Sequence, residues 1–174
     1  MKLDTERLRL EPFAPEHASG LHAMDSDSEV MRYIGATKTL VETNESIIRV
    51  AERWERLGYG WWAIIEKGSG DLVGAACVQD AGHVEGAPLE IGWRLIASAQ
   101  GKGYAAEAGT AAMNFAFHHL NVGLVIAVAD QNNIASHKVM KRLGMTYQGI
   151  QVHYDLPLTT YVKHRSSIGD IKAR

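Results

Sequence analysis

Six residues from Gln100 to Ala105 have the composition of an anion-binding loop. The loop reads Gln100, Gly101, Lys102, Gly103, Tyr104 and Ala105. Glycine lets the backbone turn sharply and approach a ligand closely. A helix beginning at Tyr104 would direct unpaired N–H groups and the positive end of its dipole to the same point. The spacing therefore predicts a phosphate-binding loop, and the alternative is a plain turn between a strand and a helix.

A strand before this loop and a helix after it would hold it in place. Apolar residues alternate with other residues in the period-2 pattern of a strand at Leu89, Ile91, Trp93 and Leu95. After the loop the period changes, and one helical face carries Ala105, Ala108, Ala112 and Phe115. Both glycines thus fall between a predicted strand and a predicted helix, which favours the phosphate interpretation.

Two kinds of phosphate ligand fit the loop. The spacing Gly101-x-Gly103-x-x-Ala106 matches a dinucleotide fingerprint, with Asp130 as its ribose-binding acid. Against it, the strand ends near Leu95, well before the first glycine, and too few residues follow for a second βαβ half. The alternative spacing, Gln100-x-x-Gly103-x-Ala105, resembles the pyrophosphate loop by which GNAT N-acetyltransferases bind acyl-coenzyme A. The loop alone does not decide between these two interpretations.

Bulk properties predict one globular domain. The chain has 174 residues, of which 46% are hydrophobic and 22% charged, and we expect a single domain over 1–165 with a polar tail over 166–174. The net charge of −2 argues against a dedicated nucleic-acid binder. The N-terminus lacks an apolar signal core and no run reaches membrane-spanning length, so we expect no membrane partner and a cytoplasmic location. The one cysteine, Cys77, is expected to be a buried core thiol.

The order of predicted elements is β-α-α-α-β-β-β-α-β-α-β-β. The first strand is predicted from Leu3 to Glu11, and helices are predicted to begin near Pro15, at a Ser26-x-x-Glu29 capping box and at a Thr39-x-x-Glu42 capping box. The chain continues with a hairpin over 61–79, the central strand and helix, and a buried strand over 122–129. It ends with a helix capped by Asn133 and a last strand pair around Pro157. The simplest solution is a mixed sheet with helices on both faces.

This order, with the glycine loop after the fourth strand, resembles the GNAT superfamily, and five short motifs resemble its RimJ/RimL-type ribosomal-protein acetyltransferases. They lie at Leu3–Leu10 (LDTERLRL), Glu29–Tyr33 (EVMRY), Gly60–Ile64 (GWWAI), Asn133–Ser136 (NIAS) and Lys141–Met145 (KRLGM). Each motif is weak, but five in the right order disfavour the dinucleotide reading. The resemblance implies an α/β fold with a central mixed, mostly antiparallel sheet of about seven strands.

Four positions depart from the family pattern. Arg142 stands in place of a lysine, Met145 in place of a phenylalanine, and Glu11 where an arginine is common. Many GNAT enzymes carry a tyrosine acid at the position of Met140, which cannot donate a proton. In the RimJ/RimL type a serine that matches Ser136 has been assigned this role.

The resemblance implies acetyl transfer from acetyl-CoA to an amine. Backbone N–H groups of Trp93, Arg94 and Leu95 would bind the pantetheine arm and the developing oxyanion. The loop of Gln100 to Ala105 would hold the pyrophosphate. Asn133 would be a helix cap first and a cofactor contact second. Ser136 would give a proton to the departing thiolate, and its alternative role is to support the cap.

Glu90 is the first candidate for the base that deprotonates the amine. It lies on the strand face opposite Leu89 and Ile91, and GNAT enzymes often place a carboxylate on this strand; the alternative is a structural or solvated glutamate. His83, His153 and Tyr154 are lesser candidates. At neutral pH, an α-amine with a pKa of ~8 is deprotonated at a cost of about 1 kcal/mol, which is several times less than the cost for a lysine amine.

The expected partner is therefore a protein or peptide N-terminal amine, and the resemblance allows a homodimer. Two other functions stay open, namely acetylation of a small amine and acyl-CoA binding without turnover. No metal site is expected.

Overall fold

One sheet of eight strands organises the part of the chain that the computed structural model describes, residues 1–165. Its strands are β1 (Leu3–Asp4), β2 (Leu8–Pro12), β3 (Trp61–Glu66), β4 (Leu72–Asp80), β5 (Leu89–Leu95), β6 (Leu124–Ala129), β7 (Thr146–His153) and β8 (Leu156–His164). They lie in the order β1-β2-β3-β4-β5-β6-β8-β7. Every neighbouring pair is antiparallel except β5 and β6. The mixed, mostly antiparallel sheet is thus confirmed.

Five α-helices cover the two faces of this sheet within residues 1–165. They are α1 (Ala18–Asp25), α2 (Ser28–Met31), α3 (Leu40–Leu57), α4 (Tyr104–His118) and α5 (Ile134–Arg142). Alternate residues of β3 enter different cores, because successive side chains of a strand point to opposite faces. Trp62 lies in a buried cluster that includes residues of α4 and α5, whereas Ala63 lies in a second cluster that includes residues of α1, α2 and α3. Helices therefore lie on both faces, as predicted.

The local signals at the helix ends explain several of these bounds. Thr39 and Glu42 form the predicted capping box at the start of α3, and Gly58 ends that helix in the left-handed conformation. Asn133 caps α5 by accepting a hydrogen bond from the Ser136 N–H. After α5, Gly144 has a φ of 68°, and the next N–H donates back to the Met140 carbonyl.

Three predicted details of the elements were wrong. The first strand is divided in two, because Thr5 bonds to both the N–H and the carbonyl of Leu8 and so reverses the chain between β1 and β2. The cap of α2 is Asp27, whose carboxylate accepts two backbone N–H bonds, and not Ser26. The last hairpin turns at residues 154–155 and not around Pro157, which pairs within β8.

The predicted tail, 166–174, lies outside the described residues. Within residues 1–165, no helix combines the length and the apolar character that crossing a membrane requires.

Candidate active site

Strands β5 and β6 separate soon after they meet. β5 pairs with β4 along its full length, but its register with β6 is limited to Glu90 opposite Ile126. The N–H of Ile96 bonds to the β4 residue Val73. Because N–H directions alternate along a strand, the N–H groups of Trp93 and Leu95 face the opening between β5 and β6. The opening thus has backbone donors on its β5 side.

A cavity of about 600 Å³ occupies this opening. On one side of the sheet it is lined by Phe13, Met31 and Trp61, from the face that carries α1 to α3. On the other side it is lined by Ser136 and other residues of α5. The cavity therefore reaches both faces of the sheet, so two ligands entering from opposite faces can meet beside Glu90, which also lines it.

Glu90 is a buried carboxyl group at the point where the strands separate. Only 6% of its surface is exposed. Burial raises the pKa of Glu90 to about 7, against a smaller lowering effect of the hydrogen bond from Tyr154. A group with this pKa takes up and releases a proton near neutral pH, which is the property that a general base needs.

A chain of hydrogen bonds converges on Glu90. The Trp61 indole N–H donates to Gln79 Oε1 at 3.0 Å, and Gln79 Nε2 donates to the Tyr154 hydroxyl at 2.8 Å. The Tyr154 hydroxyl then donates to Glu90 Oε2 at 2.6 Å. Because each side chain donates to the next, Tyr154 stabilises the ionised carboxylate of Glu90. Within residues 1–165, Glu90 Oε1 accepts no hydrogen bond and can accept one from a ligand.

The turn between β7 and β8 delivers Tyr154 to this position. Tyr154 and Asp155 have φ values of 54° and 59°, the left-handed conformation that favours glycine and asparagine. Two such residues make the tight hairpin turn that matches strand twist. Backbone strain at a bulky residue such as tyrosine is typical of functional positions. Here the strained turn directs the Tyr154 phenol across β6 to Glu90 on β5. Burial and the charge of Glu90 raise the pKa of Tyr154, so it stays protonated.

The glycine loop has the features of an anion site. Gly101 and Gly103 have φ values of 77° and 86°, and a Cβ at Gly101 would meet no atom within 4 Å. Within residues 1–165, the N–H groups from Gly101 to Ala106 have no backbone acceptor, and the first bond of α4 comes from the Glu107 N–H. Gln100 and Lys102 are exposed beside them. Open space and unpaired donors at a helix N-terminus fit a pyrophosphate group.

Arg7 fixes the outer side of the loop. It pairs with Glu107 at 2.7 Å and donates to the Lys102 carbonyl at 2.9 Å. Its guanidinium carbon lies 4.7 Å from the centre of the Tyr104 ring. These contacts tie the loop and the start of α4 to the turn before β2, which gives the opening motif of the chain a structural role.

Helix α5 brings three further residues to the cavity. Asn133, Ser136 and Met140 all line it. The Ser136 N–H is used by the Asn133 cap, whereas its hydroxyl has no hydrogen-bond partner within residues 1–165 and is free to contact a ligand. Met140 is 1% exposed and offers no proton at the position of the missing tyrosine.

The structure separates the remaining candidates. The His83 ring lies edge-on to Tyr154 at 5.0 Å and lines the cavity, and burial lowers its pKa. The His153 ring bonds instead to the Thr160 hydroxyl at 3.1 Å, away from the cavity lining. Arg94 differs from its strand neighbours, because its N–H faces β4 and its side chain pairs with Asp25 at 2.7 Å.

Sequence reasoning missed two members of the hydrogen-bond chain, Gln79 and Trp61. They lie 75 and 18 positions from their bonded partners, and no local pattern reports such contacts. The one usable signal was the place of Gln79 on the predicted strand before β5, since a polar group on a neighbouring strand can approach Glu90.

Comparison with known proteins points to one family. The model of the acetyltransferase (GNAT) domain matches residues 7–146. The uncharacterized N-acetyltransferase YnaD of Bacillus subtilis is 29% identical over 149 residues, covering 86% of this chain and 85% of that protein.

Solved structures share the fold. An acetyltransferase from Agrobacterium tumefaciens superposes with a TM-score of 0.82 at 25% identity over 95% of each chain. RimL, a ribosomal L7/L12 α-N-protein acetyltransferase solved with coenzyme A, superposes with a TM-score of 0.78 over 94% of this chain and 98% of its own. At 16% identity the second likeness concerns the fold. The family match and the fold together show that this chain belongs to the GNAT family of acetyltransferases.

Proposed function

We propose that this protein transfers an acetyl group from acetyl-CoA to the α-amine of a peptide or protein N-terminus. The observation that carries the proposal is the buried Glu90, with a pKa of about 7, at the separation of β5 and β6. The family uses acetyl-CoA, and the five RimJ/RimL-like motifs support assignment to that subtype.

The cofactor would bind along the α4 and α5 side of the opening. The N–H groups from Gly101 to Ala106 would hold its pyrophosphate, and the N–H groups of Trp93 and Leu95 would hold its pantetheine amides. When bound, acetyl-CoA supplies an acetyl group activated as a thioester. The exposed Lys102 adds positive charge next to the phosphates.

Glu90 would accept the proton of the acceptor ammonium. An α-amine has a pKa near ~8, within about one unit of the Glu90 pKa of about 7. Proton transfer between groups so closely matched costs only about 1 kcal/mol. A lysine amine near ~10.4 would cost several times more, so the site suits an α-amine better.

Two other groups would act on the acyl carbon and the leaving thiolate. A backbone N–H on the β5 side of the opening stabilises the charge that develops on the carbonyl oxygen. The free hydroxyl of Ser136 donates a proton to the thiolate, directly or through water. Tyr154 does not serve as this acid, because its hydrogen is held by Glu90.

A small amine is a second candidate acceptor. The cavity has aromatic and apolar walls formed by Phe13, Tyr33, Ile34 and Trp61. Such walls suit a compact apolar amine as well as the first residues of a peptide.

Thiol release and product mass test the function together. Wild-type protein should release free thiol from acetyl-CoA when supplied with N-terminal peptides, and mass spectrometry should find the acetyl group on the α-amine. Small apolar amines form the second arm of the panel. Tight acetyl-CoA binding without thiol release for any amine would instead assign the protein as a binding module.

A further inference from the structure

A buried cluster of charges surrounds Arg94, four residues along β5 from Glu90. Arg94 Nη1 lies 2.7 Å from Asp25 Oδ1, and the two side chains are 8% and 2% exposed. Asp25 Oδ2 lies 3.5 Å from Lys38 Nζ and accepts a bond from the Thr43 hydroxyl at 3.4 Å. Two cations thus share one carboxylate, which leaves this part of the site with an excess positive charge.

The guanidinium of Arg94 has an unused donor. Within residues 1–165, its buried Nε has no hydrogen-bond partner. Its other contacts are weak ones, a bond to Met31 Sδ at 3.5 Å and the face of the Trp61 ring at 5.3 Å. A buried donor without a partner destabilises the site that contains it. Arg94 lines the cavity, so a ligand that supplies an acceptor atom there would remove this cost.

Arg94 and Glu90 belong to one wall of the same cavity. Side chains two and four residues apart share a strand face, and Gly92 between them contributes no side chain. Their Cα atoms are about 13 Å apart at about 3.3 Å per residue. An acceptor with its amine at Glu90 can therefore extend along β5 toward Arg94, past the apolar walls.

We propose that the acceptor carries a carboxylate near its amine and that Arg94, with Lys38, binds it. A carboxylate matches both the free guanidinium N–H and the excess positive charge, whereas a carbonyl matches only the first. The carboxylate can come from an acidic side chain early in a peptide or from the C-terminus of a short peptide. This inference rests on the proposed function, since it places the reacting amine at Glu90.

Matched acceptor pairs separate the two sources. One pair is Ala-Phe-Asp-Ala amide and Ala-Phe-Asn-Ala amide, and the other is the dipeptide Ala-Phe with a free or an amidated C-terminus. A hydrogen bond to a charged group is worth about 1.5–3 kcal/mol, so kcat/KM should favour the acid of at least one pair by about 10- to 100-fold. Equal kcat/KM within both pairs would overturn the inference while leaving acetyl transfer intact.

Paired substitution tests Arg94 itself. Arg94→Gln combined with Asp25→Asn removes both members of the buried ion pair and leaves only the partly exposed Lys38 without its carboxylate partner. The acid-to-amide ratio should fall most of the way toward one, because Lys38 alone remains to bind the carboxylate. Arg56→Gln is the matched control, because Arg56 is an exposed arginine of α3 that pairs with Glu85, and the ratio should survive there. An unchanged ratio in a folded double variant would exclude Arg94 as the carboxylate ligand.

Two further measurements keep the inference testable if the double variant does not fold. Lys38→Met, at a side chain that is 31% exposed, should reduce the ratio in part. Calorimetry should show that the N-acetylated product of at least one acceptor pair binds to wild-type protein more tightly as the acid than as the amide. Preferential binding of the acid without turnover would refute the proposed function but leave the Arg94 site standing. Equal binding of acid and amide in both pairs would overturn the Arg94 site.

Discussion

Replacing Tyr154 with phenylalanine should raise the pKa of the Glu90 carboxyl group. The Tyr154 hydroxyl donates to Glu90 Oε2 at 2.6 Å, and this bond lowers the Glu90 pKa against the larger raising effect of burial. Without the hydroxyl, burial acts alone. A lower fraction of Glu90 is then ionised at neutral pH, so the variant should lose activity there and regain it at higher pH.

The size of the shift follows from the strength of the bond. A hydrogen bond to a charged group contributes about 1.5–3 kcal/mol, and one pKa unit corresponds to about 1.4 kcal/mol. The acidic limb of the rate profile should therefore move from a pKa of about 7 upward by about one to two units. Since about half of wild-type Glu90 is already protonated at pH 7, this corresponds to roughly a 5- to 50-fold loss of kcat/KM at that pH.

The assay is the pH dependence of kcat/KM for wild type and Tyr154→Phe with the same peptide acceptor, so that the acceptor's own ionisation cancels. Tyr147→Phe is the matched control, because Tyr147 is an exposed tyrosine of β7 outside the cavity lining. An acidic limb that stays in place, or that moves to lower pH, would refute the role given to the bond. A uniform loss at all pH values would instead indicate that Tyr154 supports the fold of the site.

Three other substitutions test separate parts of the account. Burial raises the folded-state pKa of Glu90 from 4.5 to about 7. The stability that this group contributes is therefore fully present below pH 4.5 and is lost as the pH rises through 7. In denaturant unfolding, the free energy of unfolding of Glu90→Gln relative to wild type should increase by about 3 kcal/mol from pH 5 to pH 8. Gly103→Val places a branched side chain at a φ of 86° and should weaken CoA binding at least about tenfold by calorimetry. Ser136→Ala should lower kcat, by no more than the roughly 10²–10⁴-fold that general acid catalysis typically contributes. The acetyl-CoA affinity and the Tm of this variant should be nearly unchanged.

Each of these has a result that would count against it. A pH-independent stability difference for Glu90→Gln would mean that the carboxyl is not buried as described. Gly68→Val, in an open turn without positive φ, is the control for Gly103→Val, and equal CoA affinity in both variants would remove the loop from the cofactor site. A lower Tm with intact kcat in Ser136→Ala would return the hydroxyl to support of the cap.

Local patterns predicted the sheet, the helices and the glycine loop. Three of these features depend only on residues within a few positions of each other, and all three are confirmed: the strand β5, the capping box at Thr39 and the Asn133 cap. The division of the first strand was missed because Thr5, which reverses the chain by bonding to Leu8, interrupts the alternation of apolar residues without a glycine or proline to mark a turn. Glu107, about a hundred residues away, also accepts bonds from Thr5 and Arg7 there.

The candidate site was predictable only in its parts. The sequence placed Glu90 and Ser136 on their elements, but the burial that raises the Glu90 pKa comes from the packing of distant strands. The pairing of Arg94 with Asp25 joins positions 69 residues apart, and the contact of Tyr154 with Glu90 joins positions 64 residues apart. The turn that carries Tyr154 was assigned to Pro157, since tyrosine is uncommon in a left-handed hairpin turn and no glycine follows Asp155.

The most direct test of the central claim is the pH–rate profile of Glu90→Gln with acetyl-CoA and a peptide α-amine. Glutamine keeps the size of the side chain and its bond to Tyr154 but cannot accept a proton. Loss of kcat/KM should be largest near pH 6–7, roughly 10²–10⁴-fold, and should shrink toward pH 9, where the amine is already neutral. A profile that matches wild type in both shape and height would contradict the account and would return Glu90 to a structural role.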